Sequence, residues 1–203
     1  MRKMMRIAAG LAVFLIAAGA FCQGIPGYLR VSGTTITGCD KDRLPANLVI
    51  PKGITEIDSS VFRDCTSLES VTIPASVRTI GYDAFKNCTS LESVTIPAGV
   101  TKIDGFVFQD CTSLKSVTIP ETVTEIGAQA FEECSLESVT IPSSVRTMWG
   151  GAFSCRNLKT VKYNGTKAQW RKISIYGNRF YRWAFLDGVT VHCTDGNIPA
   201  NQD

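Results

Sequence analysis

Between residues 48 and 160 one segment of about 23 residues recurs five times in register. The copies start at Leu48, Val71, Val94, Val117 and Val139, and each carries an Ile-Pro pair, at Ile50, Ile73, Ile96, Ile119 and Ile141. The steps are therefore 23, 23, 23 and 22 residues, and the last two copies each lose one residue beside their cysteine. A period of this length means a stacked repeat array, in which each unit buries its apolar residues against its neighbours rather than in a private core.

Each copy has a physical reading. In Leu68-Glu-Ser-Val-Thr-Ile73 the apolar positions alternate with hydroxyls, so Val71 and Ile73 face inward while Ser70 and Thr72 face out, as in a strand. Proline follows at once and ends the strand. A second short extended stretch comes next, as in Val77 to Ile80, Val100 to Ile103 and Val123 to Ile126. Gly81 or Gly127, or Asp58 or Asp104 in their place, then opens a tight turn. The turn leads to Phe62, Phe85, Phe108, Phe131 and Phe153, which are expected to stack along the array axis.

The pattern resembles the BspA-like leucine-rich repeats, a bacterial and protist surface class with the motif LxxVxIPxxVxxIGxxAFxxCxx. Strand, proline, glycine turn, Phe and Cys all recur in phase over residues 48–160, with a departure at Met148-Trp149-Gly150, where Ile-Gly is expected. The resemblance implies an α/β repeat fold: a right-handed leucine-rich-repeat solenoid with stacked short parallel strands, short helical turns and atypical capping units. It also implies adhesion or attachment to matrix or plasma proteins. Open ends of such an array expose core and strand edge, so atypical caps are expected at 21–47 and 161–196, with a tail at 197–203. In the second cap, Lys167 to Ile173 is expected to form a short helix laying Trp170 and Ile173 over the last rung.

The first twenty residues point to export. Arg2, Lys3 and Arg6 precede the apolar run Ile7 to Ala17, and Ala18-Gly19-Ala20 supplies a small-x-small cleavage pattern. The reading is a signal peptide over 1–20, cut after Ala20, with a periplasmic, cell-surface or secreted product. An uncleaved anchor is the alternative, and a degenerate lipobox ending in Cys22 is another, against which bulky Phe21 argues. Membrane attachment is expected only if Cys22 is lipidated.

Charge is unevenly spread. Residues 21–137 hold nine bases and fifteen acids, whereas 138–186 hold nine bases and no acid. Within that basic end, Arg171, Lys172, Arg179 and Arg182 are candidates for a polyanion patch, such as one for a sulfated glycan. The competing account has the aromatics Trp149, Trp170, Tyr176, Phe180, Tyr181, Trp183 and Phe185 plug the last rung, with basic stems draped over them.

Catalytic chemistry has few residues to work with. The one histidine, His192, sits in an apparent strand near the C-terminus with no nucleophile elbow beside it. Cys65, Cys88, Cys111, Cys134 and Cys155 share one repeat position and read as a ladder of buried free thiols. Cys22, Cys39 and Cys193 lie outside that ladder and are the expected disulfide or oxidation sites. No CxxC pair or phosphate loop is present. The expectation is a non-enzymatic chain with no cofactor and no metal.

What remains is surface. The outward hydroxyl ladder, from Ser70, Ser93, Ser116, Ser138 and Thr160 to Thr72, Thr95, Thr118, Thr140 and Lys162, is explained by cross-strand pairing and holds few binding anchors. Tyr82, Phe106 and Trp149 break the repeat pattern with large aromatics and are the better candidates for binding a partner. The expected function is an exported protein-interaction module for a matrix, host or envelope protein. A structural envelope scaffold and a polyanion-binding protein are the alternatives, and nucleic acid is not expected.

Overall fold

Two ladders of short parallel strands run the length of the molecule, one on each side of a single apolar interior. The computed structural model describes residues 25–177 and 189–199. The chain opens with an antiparallel hairpin, β1 (Leu29–Ser32) and β2 (Thr35–Cys39), followed by a 3-10 turn at Lys41–Arg43. The main ladder is β3 (Asn47–Val49), β5 (Ser70–Thr72), β7 (Ser93–Thr95) and β9 (Ser116–Thr118). It resumes as β11 (Ser138–Ile141), β13 (Thr160–Tyr163) and β15 (Thr190–Cys193). The second ladder begins with β2, β4 (Glu56–Ile57) and β6 (Thr79–Ile80), then β8 (Lys102–Ile103), β10 (Glu125–Ile126), β12 (Thr147–Trp149) and β14 (Ser174–Tyr176). An antiparallel β16 (Gly196–Pro199) pairs with β15.

The register keeps like residues together. Ser70 pairs with Ser93 and Ser93 with Ser116, while Val94 meets Val117 and Thr95 meets Thr118. A slip by one residue would turn each valine outward, so the alternating pattern fixes the pairing.

The third side of the array carries the turns, and these are not helical. Among the described residues the one α-helix is α1 (Lys167–Trp170), in the closing unit. The short helical turns expected within the repeats are absent, because two residues in each of the first four turns are left-handed: Ser60 and Asp64, Asp83 and Asn87, Phe106 and Asp110, Gln129 and Glu133, all with φ between 50° and 61°. That alternation aims the N–H groups at the next rung. Phe62, Phe85, Phe108 and Phe131 donate to Ala84, Val107, Ala130 and Ala152 at 2.8–2.9 Å. Backbone groups that a helix would satisfy internally are satisfied here between rungs.

The phenylalanine column is as expected. Successive rings lie 5.1, 5.5, 5.4 and 5.1 Å apart, nearly parallel, and all five are fully buried. A hairpin closes one ladder at each end, β1–β2 the second ladder and β15–β16 the main one, while β3 and β14 stand as the terminal strands at the opposite ends. The ladders continue past residue 160 through β13, β14 and β15, and the closing hairpin reaches Pro199. Thr166 caps α1, its side chain accepting from Gln169 while Gln169 returns a bond to the Thr166 backbone. Trp170 and Ile173 are buried there, and the Trp170 ring meets Tyr163 edge-on at 5.3 Å. Residues 1–20 and Cys22 lie outside the described residues.

Candidate functional site

Tyr82, Phe106 and Trp149 do not form one cluster; they seed two aromatic pairs on the turn side. Tyr82 follows β6 and leans over Gly105 of the next rung, so that its ring meets Phe106 at 5.0 Å. The Lys86 ammonium sits 5.6 Å above the Phe106 ring. Phe106 is half-buried and holds φ 61°, a conformation uncommon for a bulky side chain. Three rungs on from Tyr82, Trp149 ends β12 and packs on Tyr176, its register partner in β14, at 5.1 Å. The Trp149 Nε1 donates to Glu125 Oε1 at 3.1 Å, and Lys102 bridges Glu125 and Asp104 at 3.3 and 3.2 Å.

Three of these rings are among the few large apolar side chains left exposed among the described residues, with Ile25 and Val49 the others. Tyr82 is 51%, Trp149 40% and Tyr176 51% exposed. Met148 takes the buried isoleucine place, and Trp149 projects outward from the place Gly127 holds one rung earlier. Gly127, buried, and Ala128, half-buried, occupy the rung between the pairs. Tyr176 was not legible as part of this site, because it lies beyond the last recognisable copy and only the β12–β14 register puts it beside Trp149.

The basic end is only partly described. Arg171 and Lys172 follow α1 and are exposed, whereas Arg179 and Arg182 lie outside the described residues. His192 is exposed on β15, in register with Lys162 on β13.

The cysteines form a ladder one rung longer than expected. Cys39 is not outside it: it is buried, its Sγ lies 3.9 Å from the Cys65 Sγ, and it donates to the Val61 carbonyl at 3.0 Å. The β1–β2 hairpin packs as a rung of its own, which brings Cys39 into line. Cys88, Cys111, Cys134 and Cys155 each donate a thiol hydrogen to the phenylalanine carbonyl of the preceding rung, at 3.0–3.2 Å. A small apolar side chain with one weak donor is what a buried carbonyl at that spot requires. All described cysteines are free thiols.

Their acidities differ. The hydrogen bond from Cys65 holds the Cys39 thiol below its ordinary value, against the effect of burial and helped by Lys41 and Arg30. Contact with a neighbouring thiol, then burial, pushes Cys65, Cys88 and Cys134 up. Burial, with Asp195, also raises Cys193, although that thiol is partly accessible. Because alkylation needs access to the sulfur, iodoacetamide at pH 8 is expected to modify the partly accessible Cys193 ahead of the buried Cys88, Cys111 and Cys134. Those three should react only once denaturant opens the array. Peptide mass mapping of the folded protein checks this, and early labelling of Cys111 would contradict the closed interior.

Comparison with known proteins agrees with this architecture. The profile of the BspA type leucine rich repeat region matches six copies, over residues 42–159 and 80–191. A leucine rich cell surface protein from Faecalibacterium prausnitzii A2-165 is 36% identical over 69% of this chain and 38% of its own, with a TM-score of 0.63. A Treponema leucine rich repeat protein (named for T. pallidum) is 31% identical over 69% of this chain and 71% of its own, also at 0.63. A leucine-rich repeat protein from Bacteroides ovatus ATCC 8483 is 26% identical over 72% of this chain and 37% of its own, at 0.61. The chain thus spans less than two fifths of the first and third of these proteins. No curated protein matches it. With the solenoid, the phenylalanine column and the thiol ladder in hand, the six-copy match shows that this chain belongs to the BspA-type leucine-rich repeat family.

Proposed function

We propose that this chain is an exported, non-enzymatic protein-interaction module that attaches to a matrix, host or envelope protein through its turn side. The observation that carries this reading is the pair of aromatic contacts that leave Tyr82, Trp149 and Tyr176 exposed, Tyr82 with Phe106 and Trp149 with Tyr176. Large rigid rings that keep their faces accessible on a fixed scaffold are the side chains that dominate protein interfaces. The leader over residues 1–20 supports export, as does the similarity to a cell surface protein. The adhesive role rests on the family resemblance, which is a weaker warrant than a site.

The test uses the purified protein and a panel of immobilised matrix and plasma proteins. Saturable binding to at least one of them is expected. Replacing Tyr82, Trp149 and Tyr176 together by alanine should weaken it by a factor of about 30 or more, since a single interface anchor is worth roughly 2 kcal/mol and such losses do not simply add. The melting curve should hardly move, because those rings lie outside the core. An absence of saturable binding across the panel would sink the adhesive reading, and an unaffected triple variant would move the contact surface elsewhere.

A further inference from the structure

The outer face of the main ladder is neutral along most of its length. Its outward positions run Asn47, Ser70, Ser93 and Ser116 in one rank and Val49, Thr72, Thr95 and Thr118 in the other. The next strands continue the ranks as Ser138, Thr160 and Thr190, and as Thr140, Lys162 and His192. The second rank therefore ends on two adjacent nitrogen bases, with Asn197 of β16 as the next register partner. No carboxylate stands in either rank, and among the described residues neither Lys162 nor His192 has an ion-pair partner.

These two residues border a shallow hollow of about 340 Å³, lined also by Thr160, Asn164 and Thr194. That volume is within the range of small-ligand sites. Asn164 donates an amide hydrogen to Glu121 Oε1 at 3.0 Å, which leaves its side-chain carbonyl as an acceptor. Tyr163, a further lining residue, has a buried hydroxyl without a hydrogen-bond partner among the described residues.

We propose that this hollow binds an acidic sugar, the uronate unit of an oligosaccharide, with its carboxylate on Lys162 and His192 and its hydroxyls on Thr160, Asn164 and Thr194. Hydroxyl and amide groups that both donate and accept match a sugar's ring hydroxyls. Lys162 and His192 supply donors for one carboxylate, and no guanidinium lines the hollow to fork onto a more highly charged sulfated or phosphorylated group. A protein partner is a poorer fit, because this face offers no exposed aromatic or arginine anchor. The site shares no residue with the aromatic pairs of the turn side or with Arg171 and Lys172, so it stands or falls independently of the adhesive reading.

Titration of the full chain with trigalacturonic acid, followed by amide chemical shifts, tests the proposal. Saturable shifts should centre on residues 160–164 and 190–194, with maltotriose binding at least tenfold more weakly. Lys162→Gln, an exposed position, should raise the Kd about tenfold or more, and His192→Gln should raise it as well. The Tyr82, Trp149 and Tyr176 alanine variant should bind the sugar normally. Equal response to the two trisaccharides, no saturable shift, or a loss confined to an Arg171→Ser, Lys172→Ser double variant would each overturn it.

Discussion

Phe108→Ala is expected to cost about 3–5 kcal/mol, the usual range for deleting a fully buried ring. Phe108 lies in the middle of the column, with Phe85 at 5.5 Å and Phe131 at 5.4 Å. The void cannot close by collapse, since rung spacing is held on all three sides by inter-rung hydrogen bonds, including Phe108 to Ala130 at 2.8 Å. Two ring contacts are lost besides the buried area. Repeat arrays couple through nearest-neighbour interfaces, so the weakened middle should also broaden urea unfolding or split it in two. Phe153→Ala, with one ring neighbour in the column, should cost less. A loss under about 1 kcal/mol at Phe108 would mean that the column is not the main source of cohesion.

Gly127→Ala is the second large effect. An added Cβ would sit 2.5 Å from the Gly105 nitrogen and 2.6 Å from the Asp104 carbonyl carbon, both backbone atoms of the preceding rung. Those atoms belong to the same ladder that Gly127 joins through its bond to Ile103 at 2.8 Å, so they cannot withdraw without breaking it. The expected cost is about 2–3 kcal/mol, the upper part of the range for overpacking a well-filled interior. Gly105→Ala is the control. Its Cβ meets the Tyr82 ring at 3.2 Å and the Ala128 carbonyl oxygen at 3.3 Å, and an exposed ring can give way. That change should stay within about 1 kcal/mol. If the two variants melt together, close rung approach is not what demands glycine at 127.

The same positions mark the boundary between sequence and tertiary structure. The 23-residue period, the Val-Thr alternation and the in-phase Phe and Cys determined a stacked array with an aromatic column and a thiol ladder. Strict periodicity carries that information because every unit must satisfy the same packing as its neighbour. The alternation Asp58, Gly81, Asp104, Gly127 is also visible in the sequence, but its reason is not. Only stacked rungs reveal that each glycine packs against the backbone of the Asp-bearing rung before it. The left-handed turns escaped the sequence reading for a related cause: their hydrogen bonds run to residues about 22 positions away, and no local propensity encodes such a partner. Cys39 joining the ladder, Tyr176 stacking on Trp149 and His192 standing beside Lys162 all depend on capping units that lack the repeat motif. Sequence determined the column and the alternating faces, since periodicity alone assigns a residue to inside or outside. Tertiary structure decided which surface residues meet, because contacts across rungs and caps are set by register, and register at the ends of an array is fixed by packing rather than by pattern.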